Sequence, residues 1–189
     1  MLNSLNLPET LTWKAGEFYL LDQTQLPLAT VIEKQETLEQ VWDSIKRLKV
    51  RGAPAIGVAG AYGLVLGLQG KTDLDRPRFL AELERQAAYL DSARPTAVNL
   101  HWALTRMVEK ANALGDLPVA DLYSQLEAEA IQIHTEDRQL CRQNWGTGSR
   151  FDSAPDGGSD PLQCGFLGDF RTGYSPRAPV LSPSRGGSL

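Results

Sequence analysis

The chain has 189 residues, 42% hydrophobic and 22% charged, with a formal net charge of -4. Those values sit within ordinary globular usage and allow one or two domains of roughly 100–150 residues with a real core. The acidic balance and the absence of a Lys/Arg cluster give no footprint for binding nucleic acid. No stretch reaches ~18 uninterrupted apolar residues and the N-terminus lacks a basic, then apolar, leader pattern, so the expected location is the cytoplasm, with no membrane partner. Two cysteines, Cys141 and Cys164, and two histidines, His101 and His134, offer no disulfide framework and no zinc-ligand spacing, so no metal and no cofactor is expected.

In chain order, Leu11-Thr12-Trp13, a turn at Lys14-Ala15-Gly16 and Phe18-Tyr19-Leu20-Leu21 read as a β-hairpin, with a further extended run from Leu28 to Ile32. From Thr37 the period becomes helical: Leu38, Val41, Trp42, Ile45 and Leu48 share a face, and Thr37 with Gln40 forms a capping-box pair, predicting a helix to about Lys49. Four more helices are predicted, at about Pro54–Leu68 stopped by Gly70, Arg78–Asp91, Ala97–Leu114 with Thr96 as N-cap, and Val119–Arg142. The expected fold is α+β, a small antiparallel sheet followed by a helix bundle over 1–143. Beyond about Asn144 the sequence turns Gly-, Ser- and Pro-rich without sustained period, so 144–189 is expected to be a disordered tail.

The most informative local feature is Val50-Arg51-Gly52-Ala53-Pro54-Ala55-Ile56-Gly57, an arginine and a glycine directly before a helix that opens on proline. Unpaired N–H groups at a helix N-terminus, a glycine that lets a ligand come close and a guanidinium fork together suit a phosphate. The arrangement recurs at Ala93-Arg94-Pro95-Thr96-Ala97-Val98-Asn99, so two arginines could converge on one ligand. The competing structural explanation has Arg51 capping the end of the preceding helix and Arg94 paired with a surface carboxylate. Gly57, Gly60, Gly63 and Gly67 read as close-packing positions of a buried helix, His101 and His134 as packing or surface histidines rather than general bases, and Cys141 as a buried or partly buried helix residue.

The segments Lys49–Gly63, Ser92–Leu100 and Leu21-Asp22-Gln23-Thr24-Gln25-Leu26-Pro27 together resemble the methylthioribose-1-phosphate isomerase family over about residues 8 to 143. The relatives of that family include ribose-1,5-bisphosphate isomerases and regulatory subunits of the translation-initiation guanine-nucleotide exchange factor. The resemblance implies binding of a sugar phosphate, 5-methylthioribose 1-phosphate, by Arg51, Gly52, Ala53 and Arg94, an aldose-to-ketose isomerisation in methionine salvage, and a homodimeric full-length form. It also implies that the catalytic cysteine, in a Thr-His-Cys-Asn-Ala-Gly motif, and an acid/base aspartate belong to a C-terminal Rossmann-like domain that is missing here, leaving no catalytic residue in this chain and negligible activity. A sugar-phosphate- or nucleotide-sensing regulatory module is the alternative within the same kinship.

The genetic code offers a reading of the tail. Asp160 to Gly173 can be encoded so that translation from the second base gives Thr-His-Cys-Asn-Ala-Gly-Ser-Leu-Ala-Thr-Leu-Gly-Leu, the catalytic-cysteine segment of the family. A frameshift after about Gln143, leading to an early stop, is the expected origin of 144–189. On that reading Cys164 is an accident of the shifted frame and not the cysteine of the site.

Overall fold

The computed structural model of the protein describes residues 8–148, with side chains from 8 to 142. A three-stranded antiparallel sheet in the order β1-β2-β3 precedes five helices. The strands are β1 (Leu11–Lys14), β2 (Glu17–Leu21) and β3 (Ile32–Gln35), and the helices are α1 (Leu38–Lys46), α2 (Ala53–Leu68), α3 (Arg76–Asp91), α4 (Val98–Ala113) and α5 (Val119–Gly148). The expected α+β arrangement of sheet and bundle is therefore observed. The expected disordered tail lies outside the described residues, apart from the backbone of the last turns of α5, which carry past Asn144.

The hairpin closes through Ala15 and Gly16, both at positive φ (51° and 79°), the backbone signature of a tight turn whose twist matches that of the strands. The third strand lies later than expected, at Ile32–Gln35 rather than Leu28–Ile32. The apolar run suggested a strand, yet Leu28 is 95% exposed in a turn, and the actual strand is carried by polar residues. As an edge strand it is held by ladder pairing with β2 and by ion pairs on its polar side chains, Lys34 to Glu17 at 2.6 Å and Glu33 to Lys49 at 2.7 Å.

Thr37 caps α1 as expected, its hydroxyl accepting from the Gln40 N–H at 3.2 Å, but the return bond of the capping box is displaced by one residue: Gln40 Oε1 accepts from the N–H of Glu36, just before the cap, at 2.7 Å. Replacing Thr37 with alanine orphans one helix donor, and urea unfolding is expected to show a loss of about 1 kcal/mol. The helix ends at Lys46 and not near Lys49, because Leu48 adopts φ 61° and breaks the helical path. Asp75 caps α3 two residues earlier than expected, accepting from the Arg78 N–H. Thr96 is not the cap of α4; Ala97 holds that position with no side-chain bond.

The central element is α2, buried on nearly all sides and packed against α1, α3, α4 and α5. Its glycines make this possible: an added Cβ would lie 2.7 Å from the Asn99 carbonyl oxygen at Gly57, 2.5 Å from Leu100 Cδ1 at Gly60 and 2.7 Å from Val41 Cγ1 at Gly63, and at Gly67 would collide with Gln86. The packing role expected of these residues is borne out.

On the rim between α2 and α3, Glu82 accepts from Lys71, from Arg85 at 2.7 Å and 2.8 Å, and from Gln86 at 2.7 Å. The Arg85 bonds foremost, with Lys71 and Gln86 in support and against the opposing effect of burial, hold its carboxyl far below the ordinary value of 4.5. A depressed folded pKa gives a contribution that is complete above the unfolded value and lost as the pH falls below it. Between about pH 5 and about pH 3, Glu82→Gln is expected to flatten the acid side of a stability profile measured by urea denaturation; a profile parallel to that of the parent would contradict it.

Candidate functional site

The segment joining α1 to α2 is fixed before it reaches the site. Lys49 donates its N–H to the Ser44 carbonyl at 2.9 Å and accepts from the Gln23 N–H at 2.9 Å, while the Val50 side chain is fully buried. This anchoring presents Arg51 to solvent and leaves Gly52 at φ 91°, ψ 128°, a conformation open to glycine and strained for other residues. Helix α2 then starts at Ala53 with Pro54 in its first turn. Among the described residues, the N–H groups of Gly52, Ala53 and Ala55 have no acceptor, so a cluster of partial positive charge faces outward beside the guanidinium.

These groups form one side of a cavity of about 320 Å³. Arg51, Gly52, Pro54 and Ala55 face the α5 residues His134, Asp137, Arg138 and Cys141 across it, and Gln23 and the segment Pro8 to Leu11 complete the wall. An ion pair between Glu9 and Arg138 ties that segment to α5 at the rim. Burial, with the positive charge of Arg138 assisting, pushes the His134 imidazole below its ordinary value, so the ring is neutral near pH 7. Burial pushes the Asp137 carboxyl upward, against the opposing effect of Arg138.

Arg51 reaches back toward the preceding helix but stops at the turn that follows it, through one long contact, Nε to the Leu48 carbonyl at 3.4 Å. That leaves most of its donor fork available. Arg94 makes no side-chain hydrogen bond or ion pair among the described residues, so the surface-carboxylate pairing is not observed. Neither Arg94 nor Ala53 lines the cavity. Helix packing sets the two segments at one end of the bundle: Gly57 meets Asn99 and Ala103 while Gly60 meets Leu100 and Leu104, so α2 and α4 run in the same direction with their N-termini at that end. The loop carrying Arg94 therefore opens α4 beside the start of α2.

The contribution of α5 is what sequence reading missed. His134, Asp137 and Cys141 fall at helical spacing and share a face, a signal that looks like a packing stripe until the opposite wall is known. Among the described residues there is no group of three or more His, Cys, Asp or Glu able to hold a metal, and no helix long and apolar enough to cross a membrane. His101 is exposed beside Asp91, away from the cavity.

The model of the Initiation factor 2 subunit family matches residues 49–151, which include both arginine segments. The chain belongs to that family. Within it, the chain is 47% identical over 132 residues to the 5-deoxyribose 1-phosphate isomerase of Moorella thermoacetica, covering 70% of this chain and 38% of that protein. It is 40% identical over 142 residues to the methylthioribose-1-phosphate isomerase of Bacillus cereus, covering 75% of this chain and 40% of the relative. Among solved structures, 5-methylthioribose 1-phosphate isomerase from Pyrococcus horikoshii superposes with a TM-score of 0.75 at 30% identity, over 85% of this chain and 46% of that one. The delta subunit of translation initiation factor eIF-2B from A. fulgidus gives 0.70 at 32%, over 80% and 43%. The chain thus spans about two fifths of the length of the curated relatives it matches.

Proposed function

We propose that this family member is the phosphate-anchoring N-terminal part of an aldose–ketose isomerase acting on a ribose 1-phosphate altered at C5, the methylthio or the 5-deoxy sugar, with a role in methionine salvage. The observation that carries this reading is the joint placement of Arg51, Gly52 and the open first turn of α2 on one wall of a cavity. A dianionic phosphate matches that wall in charge and in hydrogen-bond demand. Arg94, at the same end of the α2–α4 pair, supplies the second guanidinium, and the backbone of Ala53 supplies a donor.

Isomerisation also needs a group that moves hydrogen between adjacent sugar carbons. Anchoring without it forfeits a factor of roughly 10²–10⁴ from proton transfer. We assign that chemistry to a cysteine and an aspartate outside residues 8–142 and infer that residues 160–173 are a shifted reading of the cysteine segment. Sequencing genomic DNA across the codons for Cys141 to Arg150 tests this. The expected result is one base whose correction opens a frame with Thr-His-Cys-Asn-Ala-Gly, and a protein made from that frame converts methylthioribose 1-phosphate or 5-deoxyribose 1-phosphate to the ketose while the present chain does not. An unaltered frame in repeated sequencing, or turnover by the present chain, overturns the assignment.

A second reading, a sugar-phosphate- or nucleotide-sensing regulatory module, is favoured by the likeness to the eIF-2B delta subunit. Binding of a nucleotide but not of methylthioribose 1-phosphate decides for it.

A further inference from the structure

The wall opposite the anion seat carries a hydrogen-bond arrangement of its own. Tyr62 on α2 is buried, and its hydroxyl lies 2.9 Å from His134 Nδ1 on α5. Its ring stacks on Trp13, with centroids 5.1 Å apart and planes within 4°, and meets the His134 imidazole edge-on at 5.6 Å. Trp13 is fixed in turn by its Nε1–H, which donates to Glu127 Oε1 at 2.8 Å. A stack anchored at both ends holds the imidazole in one orientation.

The proton count decides which ring nitrogen carries hydrogen. Burial pushes the Tyr62 phenol up to about 12, so it stays protonated. The buried hydroxyl hydrogen has one partner among the described residues, His134 Nδ1, and an unmade bond there is costly. Tyr62 therefore donates, Nδ1 accepts, and the neutral ring bears its hydrogen on Nε2, which has no protein partner among the described residues. One turn along the same helix, the Asp137 carboxyl also lines the cavity and makes no hydrogen bond or ion pair among the described residues. A donor and an acceptor with unfilled capacity thus stand on the wall facing Arg51 and Gly52. Phosphate alone makes use of the first wall; a phosphorylated pentose, with hydroxyls that donate and accept, makes use of both.

We propose that His134 and Asp137 are the sugar-reading residues of this cavity: the Nε2–H of His134, set by Tyr62, donates to a ribose oxygen, and Asp137 accepts from a ribose hydroxyl. Selection of a pentose phosphate over free phosphate then resides on α5. The inference rests on the phosphate seat proposed above, and two probes separate the two ideas.

Calorimetric titration with inorganic phosphate and with ribose 1-phosphate gives the affinity ratio that α5 sets. His134→Phe keeps the ring packing and removes the donor; it is expected to weaken ribose 1-phosphate by about 3- to 10-fold and leave inorganic phosphate unchanged, with Asp137→Asn acting in the same direction and His134→Gln restoring part of the loss. Because the chain has only two histidines, the ring-nitrogen NMR signals are simple: those of His134 are expected to move with ribose 1-phosphate and not with phosphate, and those of exposed His101 to move with neither. Should His134→Phe fail to fold, the parent ring signals and Asp137→Asn decide. Phosphate binding that Arg51→Ala does not diminish overturns the seat and this inference with it. Arg51-dependent phosphate binding, with an unaltered affinity ratio in the α5 variants and unmoved His134 signals, overturns this inference alone.

Discussion

Arg51→Ala is expected to weaken binding of ribose 1-phosphate and of inorganic phosphate by roughly 10- to 100-fold, while changing stability little. A charge-assisted hydrogen bond to phosphate contributes about 1.5–3 kcal/mol, and each 1.4 kcal/mol is tenfold in affinity. The guanidinium is exposed, and its one side-chain hydrogen bond among the described residues, to the Leu48 carbonyl, is long at 3.4 Å, so its removal forfeits little of the fold. Arg51→Lys retains the charge and loses the planar fork, placing it between parent and alanine. Calorimetry of the three proteins with each ligand checks the order. Equal affinities, together with a clear loss of stability in the alanine variant, would show instead that Arg51 serves the end of α1.

Gly57→Val is expected to destabilise the chain by about 2–3 kcal/mol and to lose phosphate binding as well. The first added carbon would lie 2.7 Å from the Asn99 carbonyl oxygen, a backbone atom that cannot rotate away, and the branched side chain extends the conflict. Overpacking of this kind typically costs roughly 1–3 kcal/mol. The strain falls where α2 and α4 abut, one turn from Gly52 and close to the loop of Arg94, so relief by parting the helices spreads the two loops that present arginine. Urea unfolding and phosphate titration of the same variant measure both effects. Normal stability would mean that the helices are less tightly joined than the contacts of Gly57 and Gly60 indicate.

Much of this arrangement is legible in the residues. The hairpin follows from Lys14-Ala15-Gly16 between apolar runs, α1 from Thr37 and Gln40, and α2 from an apolar segment with glycines at helical spacing and Pro54 at its head, because each is governed by local chemistry. The position of β3 is not legible in this way, because its stability comes from pairing with β2 and from ion pairs with Glu17 and Lys49, neither encoded in the hydrophobic pattern of Ile32–Gln35. The early end of α1 depends on the left-handed backbone of Leu48, which leucine gives no reason to expect.

The site shows the same division. Arg51 and Gly52 announce themselves by their place ahead of a helix, and Arg94 by repetition of that pattern. His134 and Asp137 do not, because their meaning depends on Tyr62 and on a wall from a distant part of the chain, Arg51 to Ala55. A polar pair on one face of a long helix becomes informative only when packing supplies what it faces.

The most direct measurement of the anion seat is a phosphate titration followed by backbone amide and arginine Nε signals in two-dimensional NMR. The largest shifts are expected at the amides of Gly52, Ala53 and Ala55 and at Arg51 Nε, saturating together with one affinity and lost in Arg51→Ala. Shifts confined to other basic positions, such as Lys34 and Lys49 beside β3, with the start of α2 unmoved, would contradict the site.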